Sequence, residues 1–457
     1  MKKAIGWMVW MGLLALAATT VSMAQEAAEK TASPVLELAG AQRMALAENP
    51  TLDAALDRVR QARSRVDQAR SEYWPRLDAS ASGAQVWYGE APLQVPAADD
   101  SQDIYTAGLR ASWTLFDGFE RKFRTLAAQH GVKGSEAARL DAARLLLASV
   151  ADAFHNAQLA RENIAIARAD ERFNGRLAED ARARRRVGTG SLSDVLNFEV
   201  GINSARADVI RARETYESAL YGLAVLMGNP DGRLPAGMSL ALLPPESEAM
   251  LDLPDPAGAI DYALTHRPDI HQGESALKRA EAGIGQARAG YLPRLDLSAA
   301  YEGERAEDLD FESDDFDASV GLTLSYNIFQ GGYTRARVRE AKDGAAEARN
   351  LLTDARNTTV ADVRTAMASL RAAKDQLLLQ RENAELVRRN RDLVEKEYGA
   401  GQTSLVRLNE AQRNLIQARG RLALARVSLR QAWQGLKAAT GEILAPFGVE
   451  GFRLVGS

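Results

Sequence analysis

One pattern occurs twice in this chain, and the repetition restricts the possible folds more than any other feature. Asn49-Pro50-Thr51 through Tyr73-Trp74-Pro75-Arg76-Leu77-Asp78 returns as Arg267-Pro268-Asp269 through Tyr291-Leu292-Pro293-Arg294-Leu295-Asp296, at an offset of 218 residues. From Leu109/Leu322 onward, through Phe116/Phe329, Gly188/Gly401 and Gly228/Gly441, the offset is 213 and stays constant. A single five-residue length change between residues 78 and 109 reconciles the two halves. A unit duplicated whole predicts a pseudo-symmetric assembly rather than a catalyst with one unique site.

Proline placement sets the helices. All 14 prolines fall outside residues 97–229 and 294–445, and without proline nothing removes a helix hydrogen bond or clashes with the preceding turn. After Phe116, and again after Phe329, about 68 residues rich in Ala, Arg, Glu and Leu run to Gly188 or Gly401. A helix of that length is roughly 100 Å long. Beyond each glycine the apolar positions step by three and four: Val195, Phe198, Ile202, Ala205, Val209 in one half and Leu408, Ala411, Leu415, Ala418, Leu422 in the other. That period predicts a coiled-coil return arm. Val187 to Ser191 and Tyr398 to Gln402 then become helix-to-helix turns, with Ser191 or Ser193 capping a returning helix. Helices over about 40–72 and 258–290 would complete the shorter arm. Taken alone, these windows also suit a soluble coiled coil.

A different period separates the helices. Phe316, Ala318, Val320, Leu322, Leu324 and Tyr326 alternate with Asp317, Ser319, Gly321, Thr323, Ser325 and Asn327; Tyr105 to Trp113 alternates in the same way against Thr106 to Thr114. Leu295, Leu297, Ala299, Tyr301 and Leu77, Ala79, Ala81, Gly83 supply two further strands. Such alternation fits either a half-buried soluble sheet or barrel strands with one face in lipid and the other in a wet lumen. Polar loops, Gly89–Asp103 and the acidic Glu302–Asp315, join each pair. Four strands cannot close a barrel, and an open sheet in lipid leaves backbone groups unpaired, so a membrane role requires several chains.

Composition narrows the rest. Net charge is −4, which recruits no nucleic acid, and with no cysteine there is no disulfide, thiolate metal site, catalytic thiol or lipid-anchoring thiol. Lys2-Lys3, an apolar run from Ala4 to about Ala18 and Ser22-Met23-Ala24 read as a signal peptide over residues 1–24, with an uncleaved anchor as the alternative. Elsewhere no stretch reaches the roughly 18 to 20 apolar residues of a spanning helix. His130, His155, His266 and His271 form no i,i+4 pair, and no metalloprotease, nucleophile-elbow or phosphate-loop motif is present. Catalysis and bound cofactors or metals are therefore not expected.

The Asn-Pro opening, the Tyr-x-Pro-Arg-Leu steps before the strands, Leu115-Phe116-Asp117-Gly118 and Ile328-Phe329-Gln330-Gly331-Gly332 after them, and the two glycine turns occur in order, twice. In this the mature chain resembles the TolC-type outer-membrane efflux proteins from end to end. The resemblance implies a mainly α fold with a transmembrane β-barrel: a homotrimer whose twelve strands cross outer-membrane lipid and whose twelve helices form a periplasmic tunnel. It also implies a passive exit duct for efflux or type I secretion, served by a periplasmic adaptor and an inner-membrane pump. Residues 25–228 and 258–440 would be the two repeats, with 229–257 and the tail 441–457 as an equatorial belt. The competing reading is a periplasmic coiled-coil scaffold or adaptor, which would typically carry one hairpin between compact β-domains.

By the same resemblance, Asp194 and Tyr398 match gate positions near a closed pore. Arg407 and Glu410 stand where the family has acids, and Thr403 where it has arginine. A charge repeated three times around an axis forms a selectivity ring, and Asp194 would alternatively be favourable simply as a charge at a helix N-terminus. Arg407 and Glu410 also have the spacing of a surface pair. Gly188, Ser191, Leu192, Gly401, Thr403 and Ser404 are the expected adaptor-docking tips, and the cluster Arg182–Arg186 reads as a solvated helix end.

Overall fold

The computed structural model describes residues 35–87 and 101–448. The expected signal peptide, most of the first polar loop and the end of the tail lie outside these residues. In chain order the elements are β1 (Val35–Leu36), α1 (Leu38–Glu48), α2 (Pro50–Ser71), β2 (Arg76–Trp87), β3 (Ser101–Phe116), α3 (Glu120–Arg186) and α4 (Leu192–Leu226). They continue with β4 (Ser239–Leu240), α5 (Pro256–His266), α6 (Pro268–Ala289), β5 (Arg294–Ala306), β6 (Phe316–Ser325), α7 (Tyr333–Gly399) and α8 (Leu405–Thr440).

The two long helices are 67 residues each, so each rod extends about 100 Å. Against α3 pack α2 and α6 toward the strands and α4 and α8 beyond, while α7 packs with α6 and α8. The helices expected as single rods over 40–72 and 258–290 are instead broken at Asn49 and Arg267, with ψ near 120° and 127°. The cause is local: proline excludes helical geometry from the residue before it. Asn49 uses the break, its side chain accepting from the Thr51 N–H at 2.9 Å, so that a new helix starts at Pro50.

The four long strands form one antiparallel sheet in the order β2-β3-β5-β6. Register aligns the apolar positions across it: Ala79 opposes Leu109, Leu109 opposes Tyr301, Leu297 opposes Leu322, and Ala299 opposes Val320. Val320, Leu322 and Leu324 are exposed by 79, 64 and 69%. The other face is polar and cross-linked: Arg110 to Glu302 at 2.7 Å, Thr114 to Asp296 at 2.7 Å and Ser82 to Thr106 at 2.8 Å. This sheet therefore leaves its apolar side exposed, unlike a soluble half-buried sheet. Exposed Tyr73, Trp74, Tyr291, Tyr326 and Phe329 lie where strands meet helices, as interfacial aromatics do in membrane barrels.

Halfway along the rods, Leu36, Leu147, Val150, Phe154, Leu223, Met227, Leu240 and Ile443 form the largest apolar cluster. β1 pairs in parallel with β4 there. Residues 241–251 run across the helices like a strap. Gln158 donates to the carbonyls of Ala241 and Leu242, Arg430 to that of Pro244 at 2.6 Å, and Trp433 to that of Met250 at 2.9 Å. The buried Glu246 carboxylate lies between Arg381 and Arg426, at 2.8 and 3.2 Å. No helix among the described residues is long and apolar enough to cross a membrane.

Candidate gate at the hairpin tips

The two turns at the far end of the rods are built alike, as the duplication requires. Gly188 and Gly401 take φ of 79° and 74°, the left-handed region where a glycine ends a helix without steric cost. Next the Thr189 N–H reaches back to the Arg184 carbonyl at 3.0 Å, and the Gln402 N–H to Glu397 at 2.8 Å. Ser191 caps α4 by accepting from the Ser193 N–H, and Ser404 caps α8 by accepting from Arg407. These caps fix where the first residues of each return arm point. Val187, Leu192 and Val406 are left exposed at the tips, and Gly188, Ser191, Gly401 and Ser404 are also exposed, with Thr403 half-buried.

Behind the tips the hairpins share a core. Phe173, Leu177 and Ala181 of α3, Val195 and Phe198 of α4, Val394 of α7 and Leu408 of α8 are all buried in it, each large side chain contributing about 1.5–3 kcal/mol. Tyr398 sits on its rim, edge-to-face with Phe198 at 6.3 Å and with the Arg184 guanidinium 5.4 Å from its ring centre. Its hydroxyl donates to the Asp194 carboxylate at 3.5 Å, long for such a bond. Burial first, then the Asp194 charge, pushes the phenol above its ordinary pKa, so Tyr398 remains a donor at neutral pH.

The fold thus brings Asp194 and Tyr398 together across 204 residues of sequence. It does not bring Arg407 to them: Arg407 and Glu410 are exposed and form no ion pair within the described residues. Arg407 stands 213 residues after Asp194, so it is the repeat mate of Asp194 rather than its contact. Arg182, expected as part of a solvated end, bridges to Glu199 on the returning arm at 2.6 Å.

Sequence reasoning missed three cross-hairpin contacts. Gln412 donates to Asp170 at 2.7 Å, Asn409 to Asn197 at 2.8 Å, and Arg391 stacks over Phe173 at 5.2 Å. Burial, chiefly, raises the Asp170 carboxyl pKa, with Asp208 adding to the shift and Gln412 opposing it. The available signal was polar: Gln412 is a buried amide beside the apolar ladder, and such a group requires a partner. Among the described residues no group of acids and histidines is arranged to hold a metal ion.

Comparison with known proteins agrees with this architecture. The family model "Outer membrane efflux protein" matches residues 41–229 and 259–442, one match per repeat. The cation efflux system protein CusC of Escherichia coli K12 is 29% identical over 303 residues, covering 64% of this chain and 62% of that protein. The alkaline protease secretion protein AprF of Pseudomonas aeruginosa is 29% identical over 312 residues, covering 65 and 62%. Protein CyaE of Bordetella pertussis is 30% identical over 403 residues, covering 88 and 83%. The match thus spans about three-fifths of the length of the first two relatives. Among solved structures, the open state of the Neisseria gonorrhoeae MtrE outer membrane channel superposes with a TM-score of 0.70 at 26% identity, covering 88% of each chain. Matched in both of its halves, the chain belongs to the outer membrane efflux protein family.

Proposed function

We propose that the chain is an outer-membrane channel-tunnel, a passive exit duct for efflux or type I secretion. One observation carries the reading. A four-stranded sheet with an apolar outer face and two open edges, β2 and β6, is continuous with helices roughly 100 Å long. An open edge in lipid costs several kcal/mol per unpaired backbone group, and three copies remove every edge by closing twelve strands. The polar face then lines a water-filled lumen, and the helices carry that lumen across the periplasm. Transport through such a duct needs directed access rather than bond chemistry, in keeping with a family of channels.

At the far end, three Asp194–Tyr398 pairs would ring the axis, with Arg407 of each chain at the equivalent position on the other hairpin. Among the described residues Arg407 has no acidic partner, which suits it to meet an acid of the neighbouring chain. The exposed Val187, Leu192 and Val406 around the two glycine turns supply apolar knobs for a periplasmic adaptor, behind which an inner-membrane pump supplies energy. A scaffold or adaptor role finds less support, since it gives no reason for the outward apolar sheet.

Single cysteines at Leu192 and Val406, cross-linked in cells with a short bifunctional reagent, test this reading. It expects adducts to a periplasmic protein from both tips and none from a cysteine at the sheet position Val320. Adducts absent from both tips, with the protein present in the outer-membrane fraction, would remove the docking assignment.

A further inference from the structure

We propose that a groove on the outer face of the tunnel wall, between α2, α3 and α6, binds an amphipathic carboxylate: an ionised head group on a medium-length acyl chain. The groove has a volume of about 590 Å³, within the range of small-molecule sites. Leu56 and Val59 of α2, Ala137 and Leu140 of α3 and Pro268 of α6 give it an apolar floor.

Which side of the wall it opens on follows from helical periodicity. Arg121 and Arg124, near the start of α3, line a cavity with Ser112, Thr114 and Asp296 from the polar face of the sheet, so that side of α3 is luminal. Stepping by three and four from Arg124 leads to Gly131, Gly134 and Ala138, which line a separate cavity. Lys133, Ala137 and Leu140 lie on the opposite side. Their face continues into Leu147, Val150 and Phe154, which pack in one cluster with Leu36 of β1, Leu240 of β4 and Ile443. The groove therefore begins at Leu140, where the equatorial covering stops, and runs back toward the sheet to Lys133, about 20 Å along α3 from its first residue.

Charge selects the ligand. Of the acids in the groove, Glu136 is held by Arg63 at 2.9 Å and Glu274 by Arg356 at 3.0 Å. Lys133 and Lys278, one on each flanking helix, have no acidic partner among the described residues. Both side chains line this one groove. Two unneutralised cations above an apolar floor suit an anion with a hydrocarbon tail, and their positive charge disfavours an amine of the same length. That the outer face meets the periplasm rests on the channel reading; the composition of the groove does not.

The test is equilibrium dialysis of the full chain, held in amphipol without free detergent, against radiolabelled decanoate at pH 7.5, with decylamine as control. The expected result is one saturable decanoate site per chain. Lys133→Glu with Lys278→Glu should weaken it at least tenfold, and 0.5 M salt should weaken it several-fold. Should that double variant fail to assemble, Lys133→Gln with Lys278→Gln gives the same comparison. Binding unchanged in the assembled variant, or decylamine bound as tightly as decanoate, would overturn the proposal. Channels that conduct normally but bind no decanoate would refute the groove alone, whereas chains that bind decanoate but do not conduct would refute the channel reading alone.

Discussion

Leu322→Arg and Thr323→Arg place the same charge on neighbouring residues of β6 and separate the two faces of the sheet. Leu322 opposes Leu297 and is 64% exposed in the single chain; it lies one outward position from Val320, the middle of the five outward residues Phe316 to Leu324. A guanidinium there costs about 2–4 kcal/mol near mid-bilayer. With three copies in a closed barrel the penalty is about 6–12 kcal/mol per assembly, comparable to the whole stability of an ordinary domain. Thr323 opposes Asp296 on the polar face, where an arginine meets water and an acid. Assembly is read as the fraction of protein migrating as an SDS-resistant, heat-dissociable oligomer from the outer-membrane fraction, and stability as the urea midpoint in lipid vesicles. The expected outcome is loss of the oligomer for Leu322→Arg and near wild-type assembly with altered conductance for Thr323→Arg. Equal tolerance of both, or the reverse order, would refute the assignment of faces.

At the gate, Asp194→Ala should raise single-channel conductance and lower cation preference, whereas Arg407→Ala should raise conductance and strengthen cation preference; general loosening of the tips would shift selectivity the same way in both. His155 is buried beside Gln158, which ties the strap to α3, and burial foremost lowers its pKa, with Arg430 adding to the effect. The unfolded chain therefore binds more protons between the depressed folded value and the ordinary one near 6.5, so stability from this group is complete above about pH 6.5 and falls as pH drops through that window. Urea midpoints at pH 7.5 and 5.5 should fall more for wild type than for His155→Asn, and equal falls would remove His155 from the acid response.

The architecture was legible because its signals are long and repeated: a constant offset, proline-free windows and strict alternation all survive local noise. Apolar positions chosen by alternation, such as Leu109, Leu297 and Leu322, proved to share one face because a period of two leaves no freedom once register is set. The helix breaks at Asn49 and Arg267 were legible too, since each precedes a proline. Tip contacts were harder. Tyr398 and Asp194 could be paired only through the resemblance, and Asn197–Asn409 or Gln412–Asp170 depend on how two hairpins rotate against each other, which spacing within one helix does not encode. Arg407 illustrates the limit: it stands 213 residues after Asp194, at the repeat position, and among the described residues it makes no ion pair with that acid.

The central claim is that three copies of this sheet close into one conducting barrel. Purified protein in detergent, weighed by native mass spectrometry and then inserted into a planar bilayer, tests it most directly. A complex of three chains giving discrete, long-lived conductance steps is the predicted result. Soluble monomers or dimers that need no detergent and pass no current would contradict it.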